Sequence, residues 1–187
     1  MPNLDHAMRR LAIQASTHFD ISHPEYYIHP NNEPLDAVEL VVHDAGETLR
    51  RGATEDGLRL SCWAPFLLAT VIGYDGYIVE GHGETLATHL AKSVATPNDC
   101  DFVRVGEELG IHRPEQYLTV GSPSERAVDL WGQAMYQVAH GTRPFGLKLA
   151  FWAAYVRATE FAAAAADFAE PVAGAASRFR TFANGRS

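Results

Sequence analysis

Residues 62 to 72 read Cys62-Trp63-Ala64-Pro65-Phe66-Leu67-Leu68-Ala69-Thr70-Val71-Ile72. Apolar residues on every side of the helical wheel are typical of a helix that other helices surround. Pro65 stands early enough in the run to be tolerated near the helix start. The stretch therefore predicts a central helix, preceded by a turn at residues 54–57 and ended by residues 73–76.

Further helices are predicted on both sides of this run. Asn3 can cap the first one, Pro34 opens the second, and Ser122 with Glu125 forms a capping box. Residues 20–34, which hold three prolines, predict a long ordered loop. The predicted helices cover about residues 4–15, 35–51, 62–72, 83–95, 98–109, 123–140, 144–170 and 172–182.

The fold class follows from this pattern and from the length. A chain of 187 residues fits one domain. Alternating β-branched runs, fixed-period repeats and low-complexity linkers do not stand out. The sequence therefore predicts an all-α fold, an irregular single-domain helical bundle of about seven to nine helices over residues 1–187.

Composition argues against several classes of function. The formal net charge of −8 repels polyphosphate, so nucleic acid is an unlikely partner. Two cysteines are too few for a disulfide framework, and Cys62 is expected to pack as a small hydrophobe. No signal peptide or membrane helix is expected, which favours a cytoplasmic location without a membrane partner.

The string with the most suggestive chemistry is Val41-Val42-His43-Asp44-Ala45-Gly46-Glu47, in which adjacent His and Asp residues follow an apolar helix face. It resembles the signature of the HD-domain superfamily, which comprises helical metal-dependent phosphohydrolases with an offshoot of di-iron oxygenases. The resemblance implies a divalent metal ion (Fe, Mn, Zn or Mg) and a small-molecule substrate. Such a metal lowers the pKa of its bound water toward neutrality, which makes hydroxide available for hydrolysis.

The resemblance also implies a ligand set. His43 and Asp44 match the catalytic pair, His82 matches a later histidine at the mouth of its helix, and Asp167 is preferred to Asp129 as the closing carboxylate. The implied metal ligands are His18, His43, Asp44, His82, His112 and Asp167.

Other interpretations of the same residues stay open. Glu39, His43 and Glu47 could form an ordinary solvated helix face. His18, His23 and His29 could be solvated histidines of the long loop, because their spacing fits no compact zinc pattern.

Three other kinds of function are also open. The acidic surface could meet a basic protein partner, as in an immunity or adaptor protein. Residues 105–114 resemble the first helix and turn of a DNA-binding helix-turn-helix, with residues 115–121 as the second helix. Ser61-Cys62-Trp63-Ala64 is similar to the surroundings of a papain-type nucleophile.

Overall fold

The computed structural model describes residues 6–29, 32–92 and 98–184, and most of the described residues are helical. Short 3-10 turns cover Pro114–Tyr117, Thr159–Phe161 and Ala166–Phe168. The helices are α1 (His6–Thr17), α2 (Pro24–Tyr27), α3 (Pro34–Arg50), α4 (Thr54–Val71), α5 (Gly76–Ala91), α6 (Asp99–Glu108), α7 (Pro123–Ala139), α8 (Arg143–Ala158), α9 (Ala162–Ala165) and α10 (Ala169–Asn184).

Eight of these helices have ten residues or more, and no strand occurs in the described ranges, so the predicted all-α bundle is confirmed. Asn3, the predicted cap of α1, lies outside the described residues. Among the described helices, none combines the length and the apolarity that crossing a membrane requires.

Helices α4 and α8 form the centre of the bundle and pack against each other. Helix α3 packs along α4, α7 along α8, and α5 along α10. Phe66 of α4 meets Phe151 of α8 with ring centroids 5.3 Å apart, and both side chains are fully buried. The run at 62–72 therefore lies in the core, as its uniform apolarity predicts.

The predicted turn at 54–57 is wrong, because these residues form the first turn of α4. Gly57 acts in packing: a Cβ there would lie 2.4 Å from Cγ of Leu49. A glycine that lets two helices approach closely has the same sequence signature as a turn glycine. As a consequence, Pro65 is the twelfth residue of α4 and lies well inside the helix.

Two further boundaries differ from prediction. Helix α5 begins at Gly76, where the Asp75 side chain accepts a 2.7 Å hydrogen bond from the Tyr77 backbone N–H. The predicted long helix after Pro144 stops at Ala158, and α10 begins at Ala169. Pro171 falls in the first turn of α10, where a backbone N–H has no intrahelical acceptor to lose.

Candidate functional site

The predicted His43-Asp44 pair lies in the middle of α3, with His43 exposed and Asp44 half-buried. The His43 side chain is 70% exposed, and its Nδ1 lies 3.5 Å from Oδ1 of Asp44. The other oxygen of Asp44, Oδ2, accepts a 3.1 Å hydrogen bond from the hydroxyl of Tyr27. Burial and the neighbouring Asp44 carboxylate raise the pKa of Tyr27, so this hydroxyl stays protonated and donates.

His82 lies inside α5 and not at a helix mouth, because α5 begins at Gly76, seven residues before the predicted start at residue 83. Its ring centroid is 5.6 Å from that of Phe151. Burial, with a smaller contribution from Lys148, lowers the pKa of His82 to about 4. Nε2 is buried and has no hydrogen-bond partner in the described part of the chain.

Two of the predicted ligands share a cavity. His18 and Asp167 both line a space of about 330 Å³, together with Asp20, Glu55 and Arg59. Asp167 is an exposed residue of a 3-10 turn, in contrast to the buried helical position expected for it. His112 is exposed in the connection that follows α6.

The structure therefore does not bring the six predicted ligands to one centre. His43 and Asp44 lie on the outer side of α3, His82 points into the core, and His18 with Asp167 lines a different cavity. Within residues 6–29, 32–92 and 98–184, no three His, Cys, Asp or Glu side chains are placed to hold a metal ion. Neither the metal requirement nor the HD resemblance is tested by this geometry, and both stay predictions.

The other candidate motifs have ordinary structural surroundings. His23, the residue before α2, pairs at 3.0 Å with Glu25 in the first turn of that helix, and both side chains are exposed. Burial raises the pKa of the Cys62 thiol to about 12, which is unfavourable for a nucleophilic thiolate. Residues 115–121, which would form a DNA-reading helix, contain only the end of a single 3-10 turn, Pro114–Tyr117.

A larger cleft opens between α3, α7 and α8. Its volume is about 670 Å³, within the range of roughly 300–1,000 Å³ that is usual for small-molecule sites. Val128 and Tyr136 on α7 are 56% and 59% exposed at its edge, unusual values for large apolar side chains. The cleft is lined by Glu39, Val42, His43, Gly46, Arg50, Val128, Trp131, Gly132, Met135, Tyr136, Ala139, His140 and Arg157.

Arg157 of α8 is the unusual residue of this cleft. It is only 2% exposed, and among the described residues its guanidinium makes one long hydrogen bond, in which Nη1 donates to the Val42 carbonyl oxygen at 3.5 Å. Nε has no acceptor, and no carboxylate in the described ranges lies within 4 Å of the guanidinium. Glu160 acts on it only at longer range and bonds instead to the backbone N–H and hydroxyl of Ser124.

A second donor without a partner lines the same cleft. Trp131 of α7 is 2% exposed, and its indole Nε1 has no acceptor in the described part of the chain. Buried N–H groups normally have acceptors, but this indole nitrogen and Nε of Arg157 are both closed to solvent and lie behind the cleft wall.

Two glycines keep the cleft open. A Cβ on Gly46 of α3 would lie 3.5 Å from Nη2 of Arg157, and a Cβ on Gly132 of α7 would meet nothing within 4 Å. Gly132 stands one helical turn from both Val128 and Tyr136, so a side chain at this position would enter the cleft.

Sequence reasoning singled out His43 as a metal ligand, not as a residue of this cleft, and it missed the roles of Arg157 and Trp131 here. One signal was available for Arg157. It is the single charge between Phe151 and Ala158, in a helix whose other residues there are all apolar. A lone arginine in a helix that is buried all round requires a partner, because an unpaired buried charge is costly.

Comparison of the chain with models of known families, with curated proteins and with solved structures gives no match.

Proposed function

We propose that this protein binds a small organic anion with an apolar body in the cleft between α3, α7 and α8. The observation that carries the proposal is the buried guanidinium of Arg157, which has no carboxylate partner in the described residues and lines an apolar cleft. An anionic group on a ligand would pair with it, while the apolar body would cover Val128, Met135 and Tyr136.

The energetics favour an anion over a neutral ligand. A buried charge without a partner destabilises a protein, whereas a hydrogen bond to a charged group contributes about 1.5–3 kcal/mol. Burial lowers the pKa of Arg157, yet arginine keeps its proton in proteins at any ordinary pH. The positive charge is therefore permanent, and a bound anion would offset its desolvation.

The HD-like metal-dependent hydrolase or oxygenase predicted from His43 and Asp44 gains no specific support from the described residues. Its implied ligands face different environments, whereas the lining of the cleft supports one ligand class. A binding protein is therefore the function that the geometry favours, and His43 is one of the residues on the cleft wall.

The test is isothermal titration calorimetry at pH 8 with decanoate and, as a neutral probe of equal length, decanol. We expect decanoate to bind at one site and decanol to bind at least about tenfold more weakly, because one charged hydrogen bond is worth about that factor. Equal affinity for the two probes would contradict the proposal.

A pair of glycine variants locates the site. Gly132→Leu fills open space in the cleft and should abolish decanoate binding, while Gly81→Leu, on an exposed part of α5 with equally open space, should leave it unchanged. Both replacements suit a helix better than glycine does, so neither should unfold the protein. Undiminished binding to Gly132→Leu would refute the assignment of the cleft.

A further inference from the structure

A second cavity lies on another part of the molecule, between the connection that follows α1, helix α2 and the first half of α4. Its volume is about 640 Å³, which is also usual for a small-molecule site. Among the described residues, this cavity and the cleft between α3, α7 and α8 share no lining residue. Its lining combines tyrosines with charged side chains, chiefly Asp20, Glu25, Tyr26, Tyr27, Asp56 and Arg59.

Two tyrosines of α2 give this cavity an aromatic wall. The Tyr27 hydroxyl donates to Oδ2 of Asp44 at 3.1 Å, and the Tyr27 ring packs against buried Trp63 with ring centroids 5.9 Å apart. Tyr26 meets Tyr27 edge to face, with ring centroids 5.2 Å apart, and is itself 62% exposed. The Tyr26 ring is therefore accessible to a ligand, and the face of such a ring attracts cations.

The guanidinium on this cavity wall already has carboxylate partners. Arg59 donates to Glu55 and, at 3.4 Å, to Asp56, so these three side chains together carry one net negative charge. Near the wall, the carboxylate of Asp44 and the guanidinium of Arg9 have opposite signs and offset each other. These groups therefore leave no surplus positive charge at the cavity.

The two remaining carboxylates of the lining add further negative charge. In the described ranges, no Lys, Arg or His side chain pairs with the Asp20 carboxylate. The ion-pair partner of Glu25 there is the imidazole of His23 at 3.0 Å, and a free imidazole carries little charge at pH 8. The cavity therefore presents carboxylates that lack a permanently charged partner.

From the aromatic wall and these carboxylates we infer that the cavity binds an organic ammonium ion with a short apolar body. The ammonium group faces the Tyr26 ring and the carboxylates of Asp20 and Glu25, and the apolar body covers Ile21 and Leu60. Negative charge on the wall repels a carboxylate, so the ligand is opposite in sign to that of the other cleft. The two proposals are independent of each other.

The experiment compares two head groups on one alkyl chain by isothermal titration calorimetry at pH 8. Hexylamine is protonated at this pH, as lysine is, whereas 1-hexanol is neutral. We expect hexylamine to bind at least about fivefold more tightly, because a cation–π contact and an exposed ion pair each strengthen binding a few-fold. Raising the NaCl concentration from about 0.05 to about 0.5 M should weaken hexylamine binding alone, because salt screens the carboxylates.

Two variants locate the ammonium group. Asp20 has φ 51°, a left-handed conformation that asparagine tolerates as well, so Asp20→Asn removes a charge without straining the backbone. This variant should bind hexylamine about threefold more weakly. Tyr26→Leu keeps an apolar side chain but loses the ring, so it should weaken hexylamine by at least about twofold relative to 1-hexanol. The matched control is Glu107→Gln, which removes an exposed carboxylate of α6 outside the cavity and should bind hexylamine as the wild-type protein does.

The remaining control separates this cavity from the cleft between α3, α7 and α8. Gly132→Leu fills that cleft and should leave hexylamine binding unchanged; loss of binding would place the amine there and overturn the inference. Equal affinity for hexylamine and 1-hexanol, or unchanged affinity in both Asp20→Asn and Tyr26→Leu, would also overturn it. Circular dichroism verifies the fold of each variant, and the two probes on the wild-type protein decide the question if a variant does not fold.

Discussion

His82→Gln should remove part of the acid sensitivity of this protein. In the folded chain, burial holds the imidazole neutral and lowers its pKa to about 4, whereas an unfolded histidine titrates near 6.5. The unfolded state therefore binds the extra proton between these values. The stability contributed by neutral His82 is fully present above about pH 6.5 and is lost as the pH falls toward 4.

The magnitude follows from the two pKa values. Between pH 7 and pH 5 the wild-type protein should lose about 2 kcal/mol of unfolding free energy through His82 alone. Urea unfolding followed by tryptophan fluorescence at pH 8, 7, 6 and 5 measures this loss. His82→Gln should show a shallower pH dependence by that amount, although its stability at pH 8 can differ through the contact with Phe151.

The matched control is His112→Gln, which changes an exposed histidine outside the core. The pH dependence of His82→Gln should be shallower than that of this control. An unchanged pH dependence for His82→Gln would refute the view that the folded core keeps this imidazole neutral.

Two further predictions concern α4. Gly57→Ala should destabilise the protein by about 1–3 kcal/mol, as measured by urea unfolding. The reason is that the new Cβ would lie 2.4 Å from Cγ of Leu49 and 3.0 Å from the Leu49 backbone nitrogen. An unchanged urea midpoint would mean that α3 and α4 separate easily. Cys62 should react with a thiol reagent only in urea, because the folded protein buries the thiol and raises its pKa to about 12. Modification of Cys62 at its unfolded rate in buffer would show that α4 opens.

The parts of the fold that depend on local patterns could be predicted from the sequence. The capping box at Ser122 forms as expected, with the Ser122 hydroxyl accepting a hydrogen bond from the Glu125 backbone N–H. Gly110 and Gly141 follow their helices with positive φ, as glycines after a helix end often do. These features depend on a few neighbouring residues, so the sequence contains their physical cause.

The error at residues 54–57 arose because Gly57 has its role through a distant part of the chain: it resembles a turn residue until Leu49 is placed against it. The metal site stays a prediction, and the described structure places its six proposed ligands in different surroundings. Imidazole and carboxylate groups count as ligands only when the fold directs them to one point. A dipeptide such as His43-Asp44 does not show whether its side chains face other ligands in the folded chain.

The same reasoning explains why Arg157 is a stronger pointer to function than any histidine of this chain. An exposed histidine such as His43 is stable in water and needs no explanation, whereas a guanidinium that is 2% exposed loses most of its hydration on folding. Replacing such a group with an apolar side chain of similar volume is often neutral or stabilising. Arg157→Met should therefore retain or raise the melting temperature while it removes the preference for decanoate over decanol. A residue whose replacement stabilises the fold but removes ligand binding is one that the protein uses for its ligand.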